Sequence, residues 1–161
     1  MNTKIIKHQN SKIKLTFLSL VTYRALLLAG CGPAATPATS IKASEADLAA
    51  IRQTASDYID GWYTGNPERM ERSLYDSLTK RWIDHDQVDT TTKWEMVDMT
   101  KGGGGKNYTG DKKSTVTIMD VYDNIAMVKC VSPGYVDYLQ VGKVKGKWII
   151  INVLWAYRKS E

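Results

Sequence analysis

Two residues of this chain stand in settings suited to acid–base chemistry. Asp137 stands in YVDYLQV, a carboxylate among apolar and aromatic neighbours. Burial disfavours the charged form, so such a group is driven toward the range useful to a general acid or base. A structural carboxylate bonded to backbone amides or to a tyrosine is the other reading. His85 lies between Asp84 and Asp86, where a carboxylate could hold it charged and let it shuttle protons near neutrality. Its polar setting, IDHDQVDTTT, fits a solvated surface histidine as well. Aromatic area is the third resource, from Tyr58, Trp62, Tyr63, Trp94, Tyr135 and Trp155. Each alone fits a core. Together they exceed what one small core needs, and the surplus suits a pocket for a flat ligand, with Asn152 as a polar lining group. No pair of Cys or His residues has metal-ligand spacing, so neither a metal nor a cofactor is expected. Cys130, in the strand-like AMVKCV, reads as a buried, inert thiol.

The elements that position these residues follow from periodicity. Ser44-Glu45-Ala46-Asp47 has the capping-box pattern and should open a helix. At 100° per residue Leu48, Ile51, Ala55, Tyr58, Ile59 and Trp62 fall on one stripe, with Gln53, Asp57 and Asp60 opposite, and the helix ends near Thr64-Gly65. Asn66 as cap and Pro67 at the first helical position start a second helix, through about Leu74. A strand is expected at Lys80 to Ile83. A third helix in TKWEMVDMTK, capped by Thr91 or Thr92, is ended by the run Gly102 to Gly105, which reads as a flexible loop. From Lys113 the period becomes strand-like: STVTIMDVY, IAMVKCVS, YVDYLQVGKV and KWIIINVLWAY, separated by turns at Asp123-Asn124, Pro133-Gly134 and Lys145-Gly146. Three helices followed by a meander make an α+β domain, with helices on one side of a curved sheet.

Pairing across Pro133-Gly134 sets Cys130 opposite Asp137 and Lys129 opposite Tyr138. Pairing across Lys145-Gly146 sets Asp137 opposite Leu154 and Leu139 opposite Asn152. One face then carries Val128, Cys130, Asp137, Leu139, Ile150, Asn152 and Leu154. The other carries Lys129, Tyr138, Ile149, Ile151, Val153 and Trp155, and its apolar patch is a candidate surface for a homodimer.

The net charge of +5 would suggest nucleic acid, but Lys4, Lys7, Lys12, Lys14 and Arg24 precede any acidic residue and account for the whole excess. The remainder is balanced, so no nucleic-acid partner is expected. Residues 1–30 have the layout of an export signal: a basic start, an apolar stretch from Leu15 to Leu28, then small residues and a cysteine. Leu28-Ala29-Gly30-Cys31 resembles the lipobox of bacterial lipoproteins, which implies cleavage before Cys31 and a diacylglycerol anchor on its thiol. Arg24 interrupts the apolar run, at a cost of about 2.5–3.5 kcal/mol on insertion scales. If the signal is functional the protein is held on the periplasmic or cell-surface side of a membrane; if not, it stays in the cytoplasm. Residues 31–43, rich in Pro, Ala, Thr and Ser, read as a tether to a domain over 44–158.

The segments YIDGWYTGNPERMERSL, NIAMVKC, YVDYL and GKWIIINVLW together resemble the putative lumazine-binding family, within the nuclear transport factor 2-like superfamily. The resemblance spans about residues 45 to 157. It implies a cone, in which a strongly bent antiparallel sheet wraps the long first helix and leaves a pocket at its open end. Relatives with this fold include steroid isomerases, dehydratases and cyclases with catalytic carboxylates at different places, so the fold does not carry a function. The functional expectation is a domain binding a small, flat, partly apolar ligand. The alternative is a cofactor-free lyase or isomerase that uses Asp137 or His85 as base.

Overall fold

The computed structural model describes residues 43–159. Helix α1 runs over Glu45–Thr64, α2 over Pro67–Ser73 and α3 over Lys93–Lys101. The strands are β1 Leu74–Asp84, β2 Gln87–Thr92, β3 Thr115–Tyr122, β4 Ile125–Val131, β5 Tyr135–Val144 and β6 Lys147–Tyr157. They form one curved sheet in the order β2-β1-β6-β5-β4-β3, with α1 packed on its inner face against β6, β3 and β4. The fold is the expected α+β class. Within the sheet one pair is parallel, since β1 enters beside β6 and runs in the same direction. Cys31, the proposed anchor, and the segments 1–30 and 31–42 lie outside the described residues.

The predicted stripe of α1 is buried at Ile51, Ala55, Tyr58 and Ile59. Ser44 caps the helix, its Oγ accepting from the Asp47 N–H at 3.1 Å and donating to Asp47 Oδ2 at 2.7 Å. The carboxylate thus meets the serine hydroxyl, not its backbone amide. The reciprocal box forms instead at Thr92 and Glu95, at the start of α3. Asp47 Oδ1 also accepts from Lys143 Nζ at 2.6 Å and Trp148 Nε1 at 2.8 Å, tying the start of α1 to β5 and β6. These three hydrogen bonds, Lys143 first, hold its carboxyl down at about 2.

Asp57 corrects the outward-facing expectation, because α2 folds back over it and leaves it 6% exposed. Arg72 grips it with Nε–Oδ2 and Nη2–Oδ1 contacts of 2.7 Å each, and Arg69 Nε donates to Oδ1 at 2.9 Å. The close approach of the two helices depends on Gly61, where a Cβ would stand 2.9 Å from the Met70 backbone nitrogen.

Two further findings concern the polar segment IDHDQVDTTT and the glycine run read as a flexible loop. IDHDQVDTTT contains the tip of a hairpin and all of β2: His85 and Asp86 take φ of 43° and 68°, the pair of positive values that a two-residue hairpin turn demands. Strand β2 is an exposed edge with almost no burial alternation, which removes the periodic signal that marks a strand. The glycine run is not a loose loop either. Its backbone lies flat against the Trp62 indole, and a Cβ would come within 2.4 Å of the ring at Gly104 and 2.3 Å at Gly105. Glycine is needed there for contact.

Candidate functional site

The predicted register holds between β4 and β5, where Cys130 faces Asp137 and Lys129 faces Tyr138. Between β5 and β6 it holds from Val144–Lys147 as far as Val141–Ile150, and then a bulge shifts it by one. Asp137 therefore pairs with Trp155, Leu139 with Val153 and Gln140 with Asn152. A slip of one residue exchanges faces. Val153 and Trp155 turn inward, beside Asp137. Asn152 and Leu154 turn outward, where Asn152 Nδ2 donates to Gln140 Oε1 at 3.0 Å and Leu154 is half exposed. Asn152 thus lies on the outer face, where with Ile125, Met127 and Gln140 it lines a cavity of about 330 Å³ distinct from the aromatic one on the inner face, and Val153 and Trp155 leave the expected outer patch.

On β1 the parallel register with β6 sets Lys80 beside Val153 and Trp82 beside Trp155, so Lys80 and Trp82 share the inner face. Lys80 reaches across β6, its Nζ 4.9 Å from the Trp155 ring centroid, and meets Asp137 Oδ1 at 2.8 Å. Tyr58 comes down from α1 and donates to the same Oδ1 at 2.9 Å while accepting from Lys80 Nζ at 2.5 Å. Asp137 is 1% exposed and Lys80 9%, so this is a buried ion pair with a phenol between its members. Burial first, then the Asp137 charge and hydrogen bond, raises the Tyr58 hydroxyl well above its ordinary range, so the phenol stays neutral and acts as a donor. Burial, with a contribution from Asp137, pushes the Cys130 thiol up to about 12. That thiol is unreactive near neutrality, as its sequence setting suggests.

The trio lies on the wall of a cavity of about 280 Å³, near the small end of ligand pockets. Trp62 from α1, Tyr135 from β5, Trp155 and Tyr157 from β6 and Trp82 from β1 make an aromatic lining, closed by Met96 and Met99 of α3. The rings support one another: Trp82 stacks on Trp155 at 5.2 Å between centroids, and Tyr135 meets Trp155 edge-on at 5.4 Å. Burial, followed by the neighbouring Tyr157, raises the Tyr135 hydroxyl. The indole N–H of Trp155 is buried and, among the described residues, finds no acceptor.

Of the residues singled out from sequence, the structure brings Tyr58, Trp62, Tyr135, Asp137 and Trp155 together here. It does not bring the others. Tyr63 is core, its hydroxyl donating to Ser132 Oγ at 3.1 Å and its ring meeting Tyr108 edge-on, and it does not line the cavity. Trp94 is 54% exposed on α3 with the Lys93 ammonium 4.9 Å over its ring. His85 is exposed at the β1–β2 turn and does not line the cavity. Lys129 and Tyr138 form a cation–π contact of 5.6 Å on the outer face. Sequence reasoning missed Lys80, Trp82 and Tyr157. The first two carried a usable signal: in a strand over Lys80 to Ile83 an inward tryptophan at 82 forces residue 80 inward too.

A family profile described as putative lumazine-binding matches residues 46–156. The chain belongs to this putative lumazine-binding family. Solved structures agree on the fold. A nuclear transport factor 2-like protein of unknown function from Silicibacter pomeroyi superposes with a TM-score of 0.63 at 16% identity, over 73% of this chain and 100% of that one. A similar protein of unknown function from Methylobacillus flagellatus gives 0.59 at 21% identity, over 74% and 98%. A ketosteroid isomerase-like protein from Erwinia carotovora atroseptica gives 0.56 at 11% identity, over 73% and 100%. No curated protein matches the chain. At such identities the likeness speaks for fold alone, and the lumazine-binding family itself points to a small-molecule ligand.

Proposed function

We propose that the domain binds a small, flat, partly apolar molecule in the cavity between α1, α3 and the inner face of β1, β6 and β5. The supporting observation is the buried trio of Lys80, Asp137 and Tyr58 on an otherwise aromatic wall. A few polar groups in an apolar pocket orient a ligand. For stability alone, apolar residues of the same shape would do as well or better. Native mass spectrometry of the full-length protein purified from its own host should show a retained small molecule that is lost on denaturation. Absence of a retained species, together with no calorimetric response to any of a panel of planar heterocycles, would overturn this reading.

A cofactor-free lyase or isomerase is the second reading, supported by the place of the Asp137 carboxylate on the cavity wall. Asp137 would be the base. His85 has no part in it, since it lies at the hairpin tip. Asp137→Asn separates the two readings, because loss of a catalytic base would cut turnover far more than ligand affinity or stability, whereas under the binding reading only affinity and stability fall. For location, we carry forward export and lipid attachment at Cys31, which Cys31→Ser should abolish in fatty-acid labelling and membrane fractionation. For assembly, we carry forward a homodimer through the outer sheet face, supported by exposed Tyr122, Ile125, Tyr138 and Leu154. A sedimentation monomer at micromolar concentration would refute it.

A further inference from the structure

The Lys80–Asp137 pair does more than make the cavity polar. An ammonium has three N–H donors. One goes to Tyr58 Oη and one to Asp137 Oδ1, so one remains. Among the described residues both bonds to the Asp137 carboxylate end on Oδ1, which leaves Oδ2 as an acceptor on a cavity-lining residue. A bound molecule therefore meets a donor and an acceptor side by side, on groups whose nearest atoms are 2.8 Å apart. The charges of the pair cancel. A ligand with a net charge would bring an uncompensated ion into a buried site, which is costly, whereas a neutral polar edge would not. Trp62, Trp82 and Trp155 add ring surface that favours a planar partner.

Resting on the cavity reading above, we infer that this site selects a neutral planar ring carrying a carbonyl next to an N–H, a lactam edge. The carbonyl accepts from Lys80 Nζ and the N–H donates to Asp137 Oδ2. Charged isosteres of the same ring are excluded by the neutrality of the pair. Methylation of the ring nitrogen removes the donor and leaves the Asp137 oxygen buried without a partner.

Three probes of nearly one shape test this on the full-length wild-type protein by isothermal titration calorimetry: 2-quinolone, N-methyl-2-quinolone and the anion quinoline-2-carboxylate. Naphthalene serves as the apolar control. The lactam should bind at least about tenfold more tightly than its N-methyl derivative, the factor set by one buried hydrogen bond left unmade. It should bind at least as much more tightly than the carboxylate. In the double variant Lys80→Met/Asp137→Leu, which has neither the donor nor the acceptor, the preference of the lactam over its N-methyl derivative should vanish; because the comparison among probes is made first on the wild type, a poorly folded variant does not weaken it. Equal binding of lactam, N-methyl derivative and naphthalene would overturn the lactam selection and leave the cavity reading standing. Tighter binding of the carboxylate would overturn it too. No binding by any probe would count against both.

Discussion

Replacing Lys80 by methionine keeps the length of the side chain and deletes its ammonium, which leaves the Asp137 carboxylate buried at 1% exposure with Tyr58 as its remaining partner. Removing one member of a buried ion pair costs about 3–5 kcal/mol, because the surviving charge stays desolvated. Asp137→Leu, close in shape, should cost a similar amount by stranding the ammonium between the Tyr58 and Trp155 rings. The double variant leaves no charge to strand. Exchange of a whole buried pair for apolar residues is neutral or stabilising by about 1–4 kcal/mol, so the double variant should be at least as stable as the wild type. Urea denaturation followed by tryptophan fluorescence measures this. With a slope of roughly 1–3 kcal/mol per molar urea, a loss of about 3 kcal/mol lowers the midpoint by roughly 1–3 M, well outside error. A single variant that shifts stability by under about 1 kcal/mol, or a double variant whose loss equals the sum of the singles, would refute the reasoning. The double variant should also lose ligand affinity while folding well, and that combination identifies a pair kept for binding and not for stability.

The other predictions concern what surrounds the cavity. Gly105→Ala drives a methyl group to 2.3 Å from the Trp62 indole and should lower stability by about 1–3 kcal/mol, seen as a fall in Tm; Gly102→Ala, whose nearest contact would be 3.4 Å, serves as the near-neutral control. Asp57→Asn should cost about 1–3 kcal/mol by weakening the grip of Arg69 and Arg72. Burial alone would raise the Asp57 carboxyl, but the hydrogen bonds and charges of the two arginines outweigh it and hold it below its ordinary value. Its contribution is therefore present above the unfolded carboxylate value of about 3.9 and is lost as pH falls through the folded one. Asp47, held at about 2, has the same sign, so a pH titration of stability should show a decline between about pH 4 and pH 2 that is shallower in Asp57→Asn. Trp155→Phe removes a buried donor that has no acceptor among the described residues, a relief of about 1–3 kcal/mol against the lost ring area. Its net cost by denaturation should fall well short of the roughly 3–5 kcal/mol typical of aromatic truncation.

Much of the frame is legible in the sequence because it rests on local signals. The stripe of α1, the caps at Ser44, Asn66 and Thr92 and the turns that open β5 and β6 are each set by a few adjacent residues. What was not legible depends on partners distant in the chain. Asp57 sits on the polar side of α1 by periodicity and becomes buried only because Arg69 and Arg72 arrive with α2. Edge strand β2 has no second face to hide, so it never alternates. A glycine run looks flexible until a tryptophan from another element is found pressed against it. The candidate site was half legible: Tyr58, Trp62, Tyr135 and Asp137 stand out by type and face, whereas Lys80 is an ordinary strand lysine until β1 is known to lie beside β6.

The bulge in β6 links these outcomes. Up to Ile150 the strand follows the register set by its turn, and its inward residues, Trp148 and Ile150, fill the core under α1. One additional residue before the pairing of Gln140 with Asn152 reverses the alternation, so the outer half of the strand points Val153, Trp155 and Tyr157 inward instead of Asn152, Leu154 and Ala156. Bulges also bend and twist a strand locally, which is what a sheet needs in order to curl around a helix. A single insertion thus contributes curvature and at the same step delivers the two aromatics that face Asp137 and Tyr135 across β5. Without it, a leucine would oppose Asp137 and the ammonium of Lys80 would cross the sheet with no ring beneath it. The cavity and its polar trio are therefore consequences of a defect in periodicity, and a strictly alternating reading of KWIIINVLWAY assigns Asn152 and Trp155 to each other's faces for that reason.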